Sequence, residues 1–140
     1  MDQMVEKVIG ALREGGYKVT AQRVAIVRAL TSDRTHPTAE EVYQRVRREY
    51  PMMSPATVYK TLDLLKKIGK VQELGFAKGG ARFDPNMNLH INLVCLKCGT
   101  IEDLNERLLK DLKERVATAS NYRITGHRIE FYGHCSRCQR

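Results

Sequence analysis

Four cysteines carry the plainest chemistry in this chain. They fall in two pairs, Cys95-Leu96-Lys97-Cys98 and Cys135-Ser136-Arg137-Cys138, and the pairs use every cysteine present. One Cys-x-x-Cys can turn two thiolates toward one metal, and two of them complete a tetrahedral set of four thiolates. That set favours zinc by softness and by geometry. With no coordination position left open, such a zinc is structural and not catalytic. Gly99 after the first pair eases a tight turn. The rival readings are an iron–sulfur cluster and a thioredoxin-like redox pair, which is expected once and near a helix start.

A second group is harder in character: His36, Asp84, His90, Asn92 and Asp103. Imidazole and oxygen donors together favour Fe(II), Mn(II) or Zn(II). If the five converge, they bridge an N-terminal and a C-terminal part of the chain. Each also has a plain local reading. His36 precedes Pro37 in a loop, Asp84 precedes Pro85 in a turn, and Asp103 suits the cap of a following helix.

The elements that position these residues begin with the stretch 54–70. Ser54 is a good N-cap and Pro55 suits the first helical position. Gly69 can stop the helix in the left-handed conformation. Val58, Leu62, Leu65 and Ile68 form a buried stripe. The opposite face carries Ala56, Thr57, Tyr59, Lys60 and Asp63, which suits a helix end in a DNA major groove; an ordinary amphipathic surface helix is the alternative. Upstream, Val5, Val8, Ile9 and Leu12 share one face of a helix over 3–14, closed by Gly15-Gly16. Thr20 caps a second helix with Val24, Val27 and Leu30 inward. Thr38 and Glu41 form a capping box for a third, with Val42, Tyr43 and Val46 buried. The third and fourth helices, joined through Pro51-Met52-Met53, match a helix-turn-helix.

Beyond Gly69 the period changes to that of strands. Residues 71–76 and 81–84, around Lys78-Gly79-Gly80, read as a β-hairpin, so that helices plus hairpin make a winged helix. Residues 85–88 look like a hinge. Leu89–Cys95 and Thr100–Leu104 read as strands. Asn105 to about Ala119 reads as a helix with Leu108, Leu109, Leu112 and Val116 on one side. Tyr122–Tyr132 alternates again. The expected fold is therefore α+β: a winged helix-turn-helix domain over 1–84, a hinge over 85–88 and a small α/β domain over 89–140. The exposed edge and apolar helix face of the second domain would suit a dimer.

Composition agrees with an anionic partner. The chain has 140 residues, a net charge of +8 and a pI near 9.5, with an excess of five basic residues through residue 87 and three beyond. Nucleic acid is favoured before membrane. No apolar run approaches the roughly 20 residues of a membrane span, and the first residues lack the features of a signal peptide. A cytoplasmic protein is expected, where cysteines serve as thiols or ligands more often than as disulfides.

Several segments together resemble the ferric uptake regulator family of metal-dependent repressors. They are Thr20-Ala21-Gln22-Arg23, His36-Pro37-Thr38-Ala39, Ala56-Thr57-Val58-Tyr59-Lys60-Thr61-Leu62, the two cysteine pairs with Gly99, and Gly126-His127-Arg128-Ile129-Glu130-Phe131-Tyr132-Gly133. The resemblance runs from about residue 10 to 138. It implies a homodimer that binds a palindromic operator in double-stranded DNA when metal-loaded. It also implies that Tyr59 contacts bases and that Lys18 and Arg23 contact DNA. Lys60 stands where many members have arginine, which keeps charge without bidentate geometry.

The same resemblance aligns His36, Asp84, His90, Asn92 and Asp103 with a regulatory site. Aspartate at 84 and 103 looks like the peroxide-sensing branch, in which bound Fe(II) reacts with hydrogen peroxide and a ligand histidine, here His36 or His90, is oxidised. Asn92 departs from the family's usual histidine. Leu89 and Ile91 occupy usual ligand positions of a second C-terminal site, which leaves His127 as a core or hydrogen-bonding residue and His134 exposed. The function expected is a metal-dependent transcriptional repressor, with structural zinc and regulatory Fe(II) or Mn(II), that senses peroxide. An iron- or zinc-availability sensor of the same family is the alternative, and a zinc-ribbon interaction module a further one. No paired general acid–base motif stands out, so an enzyme is not expected.

Overall fold

The computed structural model describes residues 3–32, 36–74, 80–104, 109, 111–124 and 126–139. The chain divides into two compact units, Met1–Met87 and Asn88–Arg140.

The first unit is built on four helices: α1 (Gln3–Glu14), α2 (Ala21–Thr31), α3 (Ala39–Glu49) and α4 (Pro55–Lys67). Their ends follow from local chemistry. The Thr20 hydroxyl accepts from the Arg23 amide at 3.1 Å, that of Thr38 from Glu41 at 3.1 Å, and that of Ser54 from Thr57 at 3.2 Å. Each satisfies an amide that the helix itself leaves without a partner. The capping box at α3 is formed on one side only: the Glu41 carboxylate meets the Thr38 hydroxyl rather than its amide, and also approaches Arg45 and Arg82. At the other end of α4, Gly69 has φ +74, Gly69 N–H donates to Lys66 and Lys70 N–H to Leu65. This pair of bonds is the Schellman stop, and the left-handed turn is why glycine stands there.

The amphipathic stripes meet in one core. Val5, Val8, Leu12, Ile26, Leu30, Val42, Val46, Val58, Leu62 and Leu65 are all buried in it. Ile68 and Tyr43, expected inside, are only partly buried. In the turn between α3 and α4 the two methionines divide their roles. Met53 sits in the core, while Met52 is 94% exposed.

After α4, β1 (Gln72–Leu74) pairs antiparallel with β2 (Arg82–Asp84), with Glu73 opposite Phe83. The expected hairpin tip, Gly75, Phe76, Lys78 and Gly79, lies outside the described residues. One pairing was not visible in the sequence. Thr38 forms a bridge with Arg82, and Phe83 N–H donates to the Pro37 carbonyl at 2.9 Å. The segment leading into α3 is thereby stitched to the hairpin.

The second unit is a three-stranded sheet in the order β4-β3-β5, with β3 (Ile91–Cys95) central, β4 (Ile101–Leu104) antiparallel to it and β5 (Glu130–Gly133) parallel to it. Two expectations need correction. The helix expected from Asn105 is observed as α5, Leu112–Ser120; residues 105–108 lie outside the description. The strand expected over Tyr122–Tyr132 is confined to Glu130–Gly133. Alternation upstream of residue 130 did not suffice, because β3 offers β5 a short register from Asn92 to Cys95. None of the α5 residues is buried.

Candidate metal centres and nucleic-acid face

The four cysteines meet in the second unit. One ligand atom from each of Cys95, Cys98, Cys135 and Cys138 lies within 4.8 Å of all the others. Strand β3 delivers Cys95, and the turn after it returns Cys98, with Gly99 at φ +78 to close it. Parallel β5 runs beside β3 and carries the chain to Cys135, so strand pairing brings the two pairs to the same end of the sheet. The Cys98 and Cys135 sulfurs are 3.8 Å apart. A tetrahedral site with Zn–S bonds of about 2.3 Å requires sulfurs separated by about 3.8 Å. The geometry thus fits zinc.

The electrostatics fit as well. Cys95 Sγ accepts from the Cys135 amide at 3.3 Å and the Cys98 amide at 3.5 Å. These amides hold its thiol down at about 5, so it is a thiolate at neutral pH. Cys98 is lowered by its hydrogen bond with the Thr100 hydroxyl. Cys138 is pushed up to about 12, chiefly because it donates toward Cys135 among sulfurs already rich in negative charge. The guanidinium of Arg137 is held more firmly charged by electrostatic attraction to Cys135 and a hydrogen bond with Cys98. Without a cation, four thiols this close divide into thiolates and thiols. A divalent ion is what lets all four ionise together.

The N/O ligand candidates form a pair within each unit. In the first, His36 Nδ1 lies 3.5 Å from Asp84 Oδ1, and both side chains are almost wholly buried. His36 holds φ +53, an uncommon conformation for a non-glycine residue. Its carbonyl accepts from Arg82 Nη1 at 3.1 Å. Asp84 Oδ1 also accepts from the Asn86 amide at 2.9 Å, which fixes the carboxylate. In the second unit, His90 Nε2 lies 3.6 Å from Asp103 Oδ1. His90 Nδ1 meets the Asn88 carbonyl at 2.6 Å. A carbonyl only accepts, so Nδ1 carries the hydrogen, and Nε2 is the atom turned to Asp103. Asn92 is directly opposite Asp103 in the β3–β4 register. Arg82 is the residue that sequence reasoning missed. Its only sequence signal was a basic residue two positions before a candidate carboxylate ligand, inside a short strand.

The face of α4 opposite its buried stripe is turned outward. On α4, Ala56, Tyr59 and Lys60 are exposed, with Tyr59 at 52%. Thr57 is half-buried and its hydroxyl is engaged with Ser54 Oγ at 2.9 Å, so it is less open than expected. Lys18, Arg23, Thr57 and Lys60 line one surface depression between the α1–α2 connection and α4. Arg23 Nη1 donates to the Lys18 carbonyl at 2.7 Å, which steadies the guanidinium beside it. Three cations converge on one concave surface, the arrangement that phosphate contacts require. His127 is half-buried and His134 exposed.

Comparisons with known proteins agree with this geometry. The model of the ferric uptake regulator family matches residues 14–132. The peroxide-responsive repressor PerR of Staphylococcus aureus is 38% identical over 139 residues, covering 99% of this chain and 94% of that one. Among solved structures, the Campylobacter jejuni peroxide stress regulator superposes with a TM-score of 0.75 at 28% identity, covering 99% and 100% of the two chains. The Vibrio cholerae ferric uptake regulator, described with DNA-binding domains, superposes at 0.70 with 30% identity, covering 90% and 98%. These relatives are named as regulators, one of them as a repressor. By the family match across most of its length and by its near-complete likeness to these regulators, the chain belongs to the ferric uptake regulator family.

Proposed function

We propose that this protein is a metal-dependent transcriptional repressor that binds a palindromic operator as a homodimer and responds to peroxide. The observation that carries the reading is the pair of histidine–carboxylate contacts, His36 with Asp84 and His90 with Asp103, one in each unit. One belongs to the unit that holds the Tyr59 face and the other to the unit that holds the four-cysteine site. A single regulatory ion that takes ligands from His36, Asp84, His90, Asn92 and Asp103 would fix the angle between a winged-helix domain, residues 1–84, and a dimerisation domain, residues 89–140, across the 85–88 hinge.

In a dimer that angle sets the separation of the two α4 helices. Successive major grooves lie roughly 34–36 Å apart. An ion held better in the DNA-competent arrangement shifts the population toward it, and a coupling of about 1–3 kcal/mol is usual. Lys18, Arg23 and Lys60 would contact phosphates, while Ala56, Thr57 and Tyr59 reach base edges. Dimerisation is supported by the uncovered face of α5, with Val116 at 44% exposure, and by exposed Phe131 and Tyr132. Among the described residues no helix is long and apolar enough to cross a membrane; a cytoplasmic location goes with the reading.

Fe(II), when bound, would supply the one-electron chemistry with hydrogen peroxide, and His36 and His90 would be the imidazoles that receive the oxidation. The resemblance to peroxide-responsive repressors supports this choice. The test is operator binding by protein loaded anaerobically with Fe(II) or Mn(II), before and after a low dose of peroxide, with peptide mass mapping. The expected result is DNA release by the Fe(II) form alone, with one added oxygen at His36 or His90. If both forms hold DNA and stay unmodified, the protein is a sensor of metal availability instead, the role that the name of the Vibrio cholerae relative describes.

A further inference from the structure

Asn92 is the one member of the regulatory set whose side chain cannot titrate, and its setting is unusual. It is 2% exposed at the second position of the central strand, and its Oδ1 is buried without a hydrogen-bond partner among the described residues. A buried amide oxygen left this way costs about 1–3 kcal/mol relative to a satisfied one. Such a group calls for an explanation, and coordination to an ion is among the physical ones. The backbone around it leaves no slack. Asn92 is in register with Asp103 on one side and Glu130 on the other, and its own amide donates to the Ile129 carbonyl at 2.9 Å.

The neighbours on that face are acceptors too. Residues directly opposite in an antiparallel pair project to the same face, so Asn92 and Asp103 point the same way. His90, two positions earlier, turns Nε2 toward Asp103 at 3.6 Å, with its Nδ1 hydrogen already given to Asn88. An imidazole lone pair, a carboxylate oxygen and an amide oxygen that share one face repel each other unless a proton or a cation lies among them. The Asn92 oxygen is the acceptor that finds no donor there, and a cation set among the three would satisfy it.

We propose that Asn92 is an amide-oxygen ligand that sets the metal preference of the regulatory site, favouring Mn(II) at the expense of Zn(II). This rests on the reading of His90, Asn92 and Asp103 as regulatory ligands. The reason is donor hardness. Imidazole suits zinc, copper, iron and nickel, whereas neutral carbonyl-type oxygen and carboxylate suit manganese. With Asn92, this half of the site offers one nitrogen and two oxygens. A cell that keeps zinc at the four cysteines would then have less zinc captured at the regulatory site in place of Mn(II).

The experiment uses the full-length protein with zinc at the cysteines and no second metal. Mn(II) and Zn(II) affinities are measured by competition with a chelating dye, and bound Mn(II) is followed by electron paramagnetic resonance. Asn92→His should raise the Zn(II)-to-Mn(II) affinity ratio about tenfold or more, the scale on which changes around a metal ligand act. Asn92→Leu should weaken Mn(II) binding by about tenfold while it leaves the zinc-containing protein without a second metal at least as resistant to thermal unfolding, because it removes an unpaired buried oxygen. A structural amide that donates to Asp103 predicts the reverse: an Asn92→Leu protein of lower stability with its Mn(II) affinity intact. Asp103→Ala separates the two levels of the argument. If Asp103→Ala loses the second metal while both Asn92 variants bind Mn(II) and Zn(II) as the parent does, the role of Asn92 is overturned and the regulatory site stands. If Asp103→Ala keeps the second metal, the site itself is misplaced and the inference falls with it.

Discussion

Arg82 donates from Nη1 to the main-chain carbonyl of His36 at 3.1 Å, and the same nitrogen lies 3.7 Å from Glu41 in the first turn of α3. One guanidinium thereby joins a candidate metal ligand to the first helix of the helix-turn-helix. The Arg82 side chain is 17% exposed and that of Glu41 is 44% exposed, so the arm to His36 is the more shielded of the two. It also steadies a histidine held at positive φ.

Replacing Arg82 with methionine keeps the bulk and removes both contacts. Hydrogen bonds that involve a charged group contribute about 1.5–3 kcal/mol. The expected outcome is a loss of that order in unfolding free energy, together with weaker regulatory metal binding, since the His36 main chain loses its tether. Denaturant titration and metal competition check the two parts.

Tyr59 is half-exposed and outside the core, so Tyr59→Ala should leave folding within about 0.5 kcal/mol of the parent. Operator affinity should fall by about 1–3 kcal/mol, the usual worth of a base contact. Fluorescence anisotropy with labelled operator measures it, and undiminished affinity would remove Tyr59 from the interface. By contrast, Leu62→Ala, beneath the same helix in the core, should cost about 2–5 kcal/mol in stability.

Cys98→Ser should lose zinc and, with it, the folding cooperativity of the second unit, because zinc there replaces much of what a small core cannot supply. Zinc content with calorimetry is the measurement; a zinc-free protein that melts like the parent would show the site to be dispensable.

Zinc uptake carries a pH signature. With Cys95 already ionised near neutral pH and Cys138 held protonated, zinc uptake at pH 7 by the four cysteines in this arrangement should release fewer than four protons per ion. As pH falls through about 5 the Cys95 thiolate is lost as well, so the proton count rises toward four and affinity drops. Titration calorimetry in buffers of different ionisation enthalpy counts them.

The Lys66–Glu73 pair, 2.8 Å apart, joins the last turn of α4 to β1. Its hydrogen bond with Glu73 raises the Lys66 amine above 10.5. A raised base stabilises the fold fully below its unfolded value and loses that contribution as pH rises through the folded one. Both side chains are more than a third exposed, so the pair contributes about 0.2–1 kcal/mol at most. Lys66→Met should show that deficit at neutral pH and match the parent once the pH has passed well above 10.5.

Much of this molecule is decided by short-range rules. Ser54, Pro55 and Gly69 mark the ends of α4, and the 3.6-residue spacing of Val58, Leu62 and Leu65 chooses its buried face, because capping and periodicity act within one or two helical turns. The cysteine pairs state a tetrahedral site by type and spacing alone. What needed the tertiary structure depends on residues far apart in the chain. Thr38 pairs with Arg82, Arg82 holds the His36 carbonyl, and β5 lies parallel to β3 over four residue pairs only. No local pattern encodes such partners, since strand pairing is selected by shared burial and by backbone hydrogen bonds that form only after collapse. The same holds for Asn92. Its residue type was plain from the start, but an amide oxygen buried with no donor is a property of everything folded around it.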